Sequence, residues 1–155
     1  MGSAITHPVA LLAASCFAIP ASAEVVIERF NPHGLSQPTG YSQVVTVEDP
    51  GKWIFLGGKA GIHPDGTFPE SLEEQSDLMF ANIRRALEAA GATPADVIEI
   101  EIFIVDLGKI DPTPVYEDVR SFFPAGHKPV SMVIGVSTLA YPGLLVEVNV
   151  RAVVE

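Results

Sequence analysis

The chain is poor in cysteine and in cations, and it has no apolar run long enough to cross a bilayer. Its one cysteine is Cys16, so an intrachain disulfide and a multi-thiolate metal site are both excluded. Lys and Arg number 9 against 19 Asp and Glu, for a formal net charge of −10. An acidic chain repels phosphate backbones, which handicaps nucleic-acid binding from the outset. The four histidines, His7, His33, His63 and His127, are scattered, none pairs with another at metal-ligand spacing, and HEXXH is absent. There is no glycine-rich phosphate loop, nucleophile elbow or Ser-His-Asp order. No metal site and no organic cofactor is therefore indicated. No internal repeat or low-complexity tract is present either.

The first 23 residues carry no charged side chain, so the whole net charge falls on residues 24–155. Residues 8–20, PVALLAASCFAIP, are apolar, but a spanning helix needs about 20 such residues. The run ends in Ala21-Ser22-Ala23 before Glu24, a small-x-small cleavage signature. The segment reads as a signal sequence without the usual Lys or Arg ahead of it, with export to the periplasm or secretion as the consequence. Two alternatives remain open, both on the residues themselves. The run can be a buried N-terminal helix or strand of a cytoplasmic domain, or Cys16 can be a lipid-modified site after Ala14-Ser15. Cleavage after Ala23 leaves a mature chain without any thiol.

What is present is a single domain of ordinary size, 48% hydrophobic, with one stretch that organises it. Ser71 and Glu74 form a capping-box pattern at a helix start. Leu72, Leu78 or Met79, Ile83, Leu87 and Ala90 follow at helical spacing, and Gly91 supplies the left-handed stop. Arg84 and Arg85 suit the negative end of the helix dipole. Ile98, Ile100, Ile102 and Ile104 then alternate with Glu99, Glu101 and Phe103, which predicts a strand with one apolar face. A helix over a half-polar sheet is an α+β layer. Before it, VVIERF is a short β-rich piece, Tyr41 to Val47 reads as a strand, and the turn Glu48-Asp49-Pro50-Gly51 leads to a hairpin partner at Trp53–Leu56. After it come a helix over Val115–Phe123 and strands near Val130–Thr138 and Leu144–Val154. The predicted order is β-β-α-β-α-β-β. In the last strand Val146, Val148, Val150 and Ala152 share one face, and Glu147, Asn149 and Arg151 the other. That polar face is either solvated or turned toward a subunit interface.

The order and spacing of several pieces resemble the Rid superfamily, also called the YjgF or reactive-intermediate deaminase family. These are Gly40-Tyr41-Ser42-Gln43, Ile54 through Lys59, Glu74-Gln75, Asn82-Ile83, Leu87 through Ala92, and Phe103-Ile104-Val105-Asp106. Pro129, Ile134-Gly135-Val136, Pro142-Gly143 and Val146-Glu147-Val148 continue the match, which covers residues 25–154. The resemblance implies a chorismate-mutase-like α+β fold with helices on one face of a mixed sheet. It implies a homotrimer around an inner barrel, with ligand clefts between subunits. It also implies cofactor-free hydrolysis of enamines or imines such as 2-aminoacrylate to keto acids and ammonia.

In the family an arginine in a Pro-Ala-Arg motif grips the substrate carboxylate, and here Lys128-Pro129-Val130-Ser131 stands in its place. A serine hydroxyl cannot supply a cationic fork, so the chain resembles an arginine-less branch. Tyr41 and Glu147 match positions that the family uses in its cleft. Candidate catalytic groups are thus Glu147 as proton shuttle or water-orienting base, with Tyr41 and Ser131 as hydrogen-bonding hydroxyls. Each has a bland reading, as an interface hydrogen bond, a packed aromatic or an ordinary polar residue. Gly57, in the Gly57-Gly58-Lys59 piece, allows close backbone approach. Lys59 and Lys128 are candidate replacement cations, and His127 a candidate acid–base group, though most such side chains are simply solvated.

Three functions follow: an imine or enamine hydrolase, a non-catalytic trimer that binds a ligand or partner, and an endoribonuclease. The charge of −10 disfavours the last. Mass spectrometry of protein recovered from an expressing bacterium should find a chain starting at Glu24; a chain that keeps Met1 would place residues 1–23 within the working protein.

Overall fold

The structure is a computed structural model that describes residues 24–155; the apolar segment 1–23, with its cleavage signature and Cys16, lies outside the described residues. In chain order the elements are β1 (Val26–Phe30), β2 (Val44–Glu48), β3 (Lys52–Ala60), α1 (Leu72–Ala89), β4 (Val97–Val105), α2 (Thr113–Phe122), β5 (Val130–Val136) and β6 (Val146–Val154), with a 3-10 turn at Pro94–Asp96. This is the predicted order with one further strand, β1, in front. Strands β3, β6, β4 and β5 lie side by side in that sequence. Pairing is antiparallel except between β4 and β5, which run parallel because α2 carries the crossover.

Helix α1 begins as its sequence requires. The Ser71 hydroxyl accepts from the Glu74 amide at 3.2 Å and meets the Glu74 carboxylate at 2.9 Å. At the other end Gly91 has φ 80°, the Gly91 amide donates to the Glu88 carbonyl at 3.0 Å, and the Ala92 amide to the Leu87 carbonyl at 2.8 Å. That pair of bonds is a Schellman stop. The cation at this terminus is not Arg84 or Arg85. It is Lys52 of β3, whose Nζ donates to the Ala90 carbonyl at 2.6 Å. Arg84 instead lies 5.0 Å from the centre of the Phe122 ring, and Arg85 donates to Asn82 Oδ1 at 2.9 Å. Both arginines sit too far back from the helix end to serve it, and tertiary partners hold them.

Both helices cover one face of the four-stranded sheet. Met79, Phe80, Ile83 and Leu87 of α1 pack on Ile100, Ile102 and Ile104 of β4 and on Val146, Val148 and Val150 of β6, with Val115 and Phe122 of α2 completing the core. Each fully buried Ile or Leu contributes about 1.5–3 kcal/mol relative to an exposed one. Two polar side chains lock α1 onto this sheet. Buried Gln75 donates to the carbonyls of Pro69 and Gly143, both at 2.8 Å, and accepts from the Leu145 amide at 2.8 Å. Asn82 donates to the carbonyls of Ala60 at 3.2 Å and Ile62 at 2.9 Å. Gly61 must lack a side chain, because a Cβ there would overlap the Gln75 backbone.

The expected hairpin between the strand at Tyr41–Val47 and Trp53–Leu56 does not form. β2 starts only at Val44 and pairs with β1, Val26 opposite Glu48 and Phe30 opposite Val44, while β3 pairs with β6. Asp49 turns the chain with φ 50°, and Gly51 packs so closely on Glu155 that a Cβ would overlap the C-terminal backbone. The turn therefore hands the chain from one ladder to another. Replacing Gln75 with Leu should lower the unfolding free energy by about 3 kcal/mol, since it strands one buried amide and two carbonyls; urea titration reads the loss, and a variant within about 0.5 kcal/mol of the parent would deny this role.

Candidate functional site

On the covered face, the register of the parallel pair sets Ser131 opposite Ile100 and Val133 opposite Ile102. Both therefore point to the same side as the core isoleucines, beneath α2. The loop holding Tyr41 is tied to the entry of β5: the Ser42 amide donates to the Pro129 carbonyl at 3.1 Å and its hydroxyl to the Lys128 carbonyl at 2.7 Å. These bonds bring Tyr41 and Ser131 to one cleft of about 440 Å³, within the size range of small-molecule sites. From the helix side Tyr116 and Arg120 enter the same cleft, and Ile102, Val119 and Val133 form its apolar wall. Tyr116 and Arg120 stand four residues apart on α2, hence on one helix face. That spacing was the available signal for them.

An adjoining cleft of about 270 Å³ shares Thr39, Gly40, Val119 and Arg120 with the first and is lined further by His127 and Lys128. His127 is committed locally. Its Nε2 lies 2.8 Å from the Val97 carbonyl, which requires that nitrogen to carry the proton, and its ring stacks on Phe123 at 5.3 Å. Burial pushes its pKa below the ordinary imidazole value, a shift that the bond to Val97 opposes and that the Arg29 charge reinforces.

The other candidates lie on β3 and β6, Glu147 on the uncovered face. Cross-strand pairs run along β4 and β6: Glu99 opposite Arg151, Glu101 opposite Asn149, and Phe103 opposite Glu147. Arg151 makes an ion pair with Glu99, which raises the arginine's pKa, and Asn149 donates to Glu101 Oε2 at 3.1 Å. Among the described residues Glu147 has no hydrogen-bond or ion-pair partner. Its carboxylate rests on the β3 backbone, where a Cβ on Gly58 would overlap it. The irregularity between Leu56 and Lys59 in the β3–β6 register makes this seat. Gly57 is exposed at the same bulge, with open space where a side chain would be, and Lys59 lies past it, opposite Val148.

One protomer thus assembles Tyr41 and Ser131, sets His127 and Lys128 in the neighbouring cleft, and keeps Glu147, Gly57 and Lys59 apart from both. Glu147 is on β6, two strands from Ser131 and on the opposite face. Among the described residues no three His, Cys, Asp or Glu side chains converge on a point.

This arrangement belongs to a known class. Residues 33–154 match the family model described as Endoribonuclease L-PSP. The chain is 33% identical over 105 residues to a RutC family protein from Aquifex aeolicus, covering 66% of this chain and 80% of that one. It is 29% identical over 106 residues to a 2-iminobutanoate/2-iminopropanoate deaminase from Dermatophagoides farinae, covering 66% and 78%. The crystal structure of YyfB, a Rid-family protein of unknown function from Yersinia pestis, superposes with a TM-score of 0.75 at 26% identity, over 83% of this chain and 98% of that one. The protein therefore belongs to the Rid (YjgF) superfamily.

Because His127 resists protonation in the folded state, the unfolded chain takes up a proton first as pH falls. Stability should hold above the ordinary histidine pKa of about 6.5 and decline below it. Denaturant melts between pH 8 and pH 5 should show that decline in the parent and a shallower one in His127→Asn; identical slopes would remove His127 as the cause.

Proposed function

We propose that the protein hydrolyses a small imine or enamine, as an exported homotrimer whose reaction centres form between subunits. The observation that carries this reading is the division of the candidate groups. Tyr41 and Ser131 line a cleft on the covered face, whereas Glu147 lies on the uncovered face of the same sheet. A subunit contact is the means of bringing such groups to one substrate. The uncovered face favours one. Trp53 is 45%, Phe55 66% and Met132 46% exposed, and these flank a row of half-buried polar residues.

The chemistry is the addition of water to a C=N bond. An enamine first takes a proton at carbon from the protonated Glu147 carboxyl and becomes an iminium ion. The Glu147 carboxylate so formed accepts a proton from water as the water oxygen bonds to the iminium carbon, giving a carbinolamine. Glu147 then gives that proton to the nitrogen, the C–N bond breaks and ammonia leaves, and the hydroxyl proton passes to Glu147 as the carbonyl forms, which restores the starting acid. Tyr41 and Ser131 hydrogen-bond the substrate or the water. By the resemblance, Ser131 occupies the position of the family's carboxylate-binding arginine, so the substrate preference differs from that of a standard 2-aminoacrylate deaminase. A second reading, a trimer that binds a ligand without turnover, rests on that same serine. RNA cleavage has the charge of −10 against it.

The test is ammonia release from 2-aminoacrylate generated in situ and from a panel of larger imines, with sedimentation equilibrium giving the mass of three chains. Glu147→Gln should keep the mass and the fold and lose about a hundred- to ten-thousandfold of the rate. A parent protein that accelerates nothing in the panel would leave the ligand-binding reading in place of the hydrolase.

A further inference from the structure

The Tyr41–Ser131 cleft has no cation on β5, yet a cation reaches it from the opposite wall. We propose that Arg120 of α2 is the anion-binding group of this cleft, and that the ligand is a small monocarboxylate whose apolar body lies against Ile102, Val119 and Val133. The inference rests on reading this cleft as the substrate site and deepens that reading by assigning its charge selectivity.

The first argument is placement. Arg120 lines both adjoining clefts and, with Val119, forms the helix-side ridge between them. Lys128 lines only the smaller cleft, and Lys59 lies on β3 past the bulge. Neither of the cations suspected from the sequence reaches the hydroxyl of Ser131 as the lining of one cavity; Arg120 does.

The second argument is charge. Acidic side chains outnumber basic ones 19 to 9 in this chain, but no Asp or Glu lines either cleft. The two clefts together hold two cations, Arg120 and Lys128, with a neutral His127 beside them. In an otherwise acidic protein this is a local positive funnel, and a recess with low-dielectric walls focuses such a field on an anion.

The third argument is availability. The ionic neighbour of Arg120 is Glu117 one turn back, at 4.0 Å with both side chains 67% exposed. A pair that long and that exposed holds its arginine weakly. The planar fork remains open for a bidentate carboxylate, a geometry no lysine offers. Ser131 and the phenols of Tyr41 and Tyr116 then supply neutral hydrogen bonds to the rest of the ligand.

The experiment is isothermal titration of the mature protein with 2-oxobutanoate and, separately, with its neutral amide. The parent should bind the acid more tightly than the amide. Arg120→Gln should weaken the acid about tenfold or more and leave the amide unchanged, Arg120→Lys should fall between, and adding Ser131→Arg to Arg120→Gln should restore acid binding from the other wall. Arg120 is on the surface of α2, so thermal melts of these variants should match the parent. Equal affinity for acid and amide, no binding of the acid, or an acid affinity indifferent to Arg120→Gln would each overturn the proposal. The readout is separate from turnover. Arg120-dependent acid binding in a protein that hydrolyses no imine would sink the hydrolase and keep this inference; Glu147-dependent turnover with an acid affinity indifferent to Arg120 would do the reverse.

Discussion

A single buried amide holds the phase of the sheet. Gln75 bonds the carbonyls of Pro69 and Gly143 and the amide of Leu145, so the first turn of α1, the segment before it and the entry to β6 share one side chain. Its own backbone presses on Gly61 at the end of β3. The Leu145 bond matters most, because β6 begins at the next residue. With Leu145 pinned, Val146 turns inward and Glu147 outward, and the alternation runs on to Ala152. A slip of one residue would exchange the two faces along the whole strand. The position of the candidate catalytic carboxylate is thus a consequence of the core packing of α1 against the start of β6.

The two faces of that sheet have different electrostatic characters. On the uncovered side charges stand opposite partners: Arg151 takes Glu99, and Asn149 takes Glu101. Such pairing lets a polar row be enclosed by another surface without leaving bare charges. Glu147 ends the row without a partner among the described residues and lies against Gly58 instead. On the covered side the clefts under α2 are free of carboxylates, although the chain is rich in them. Acidity is spread over the rest of the surface and withheld from the recess.

Much of this architecture was legible in the residues because its signals are local. Ser71 and Gly91 bracket a helix by capping chemistry, and the alternations of Ile98–Ile104 and Val146–Ala152 each name a buried face without reference to the rest of the chain. What escaped was non-local. β1 and β2 pair across a loop that carries no hairpin turn signature, while Glu48-Asp49-Pro50-Gly51 carries one and serves a change of ladder. Lys52 caps α1 from another element, so the nearer Arg84 and Arg85 were credited with the part. The family resemblance supplied Tyr41 and Ser131, and the β4–β5 register together with the bonds of Ser42 to Lys128 and Pro129 explains why they meet. Tyr116 and Arg120 were missed because, in a short helix with charges on several sides, a face turned to a cleft has the same composition as a face turned to water. Only the packing of α2 over β5 separates the two.

Placing the hydroxyl cleft and the carboxylate on opposite faces has a consequence for how the activity proposed above is controlled. A lone protomer holds Tyr41 and Ser131 in the cleft with Glu147 on the other face, so the proposed imine chemistry would be conditional on the proposed assembly. The condition is also a specificity device. Free carboxylate next to the cleft would repel an anionic ligand, and the fold keeps every Asp and Glu of the same protomer out of its lining. Under the proposed assembly the base comes from a neighbouring subunit, so the ligand's own carboxylate meets no Asp or Glu from the lining of its own protomer. In this scheme the loss of the β5 arginine need not remove the cation from the site. It moves the cation to α2, and the end of the ligand that carries charge moves with it.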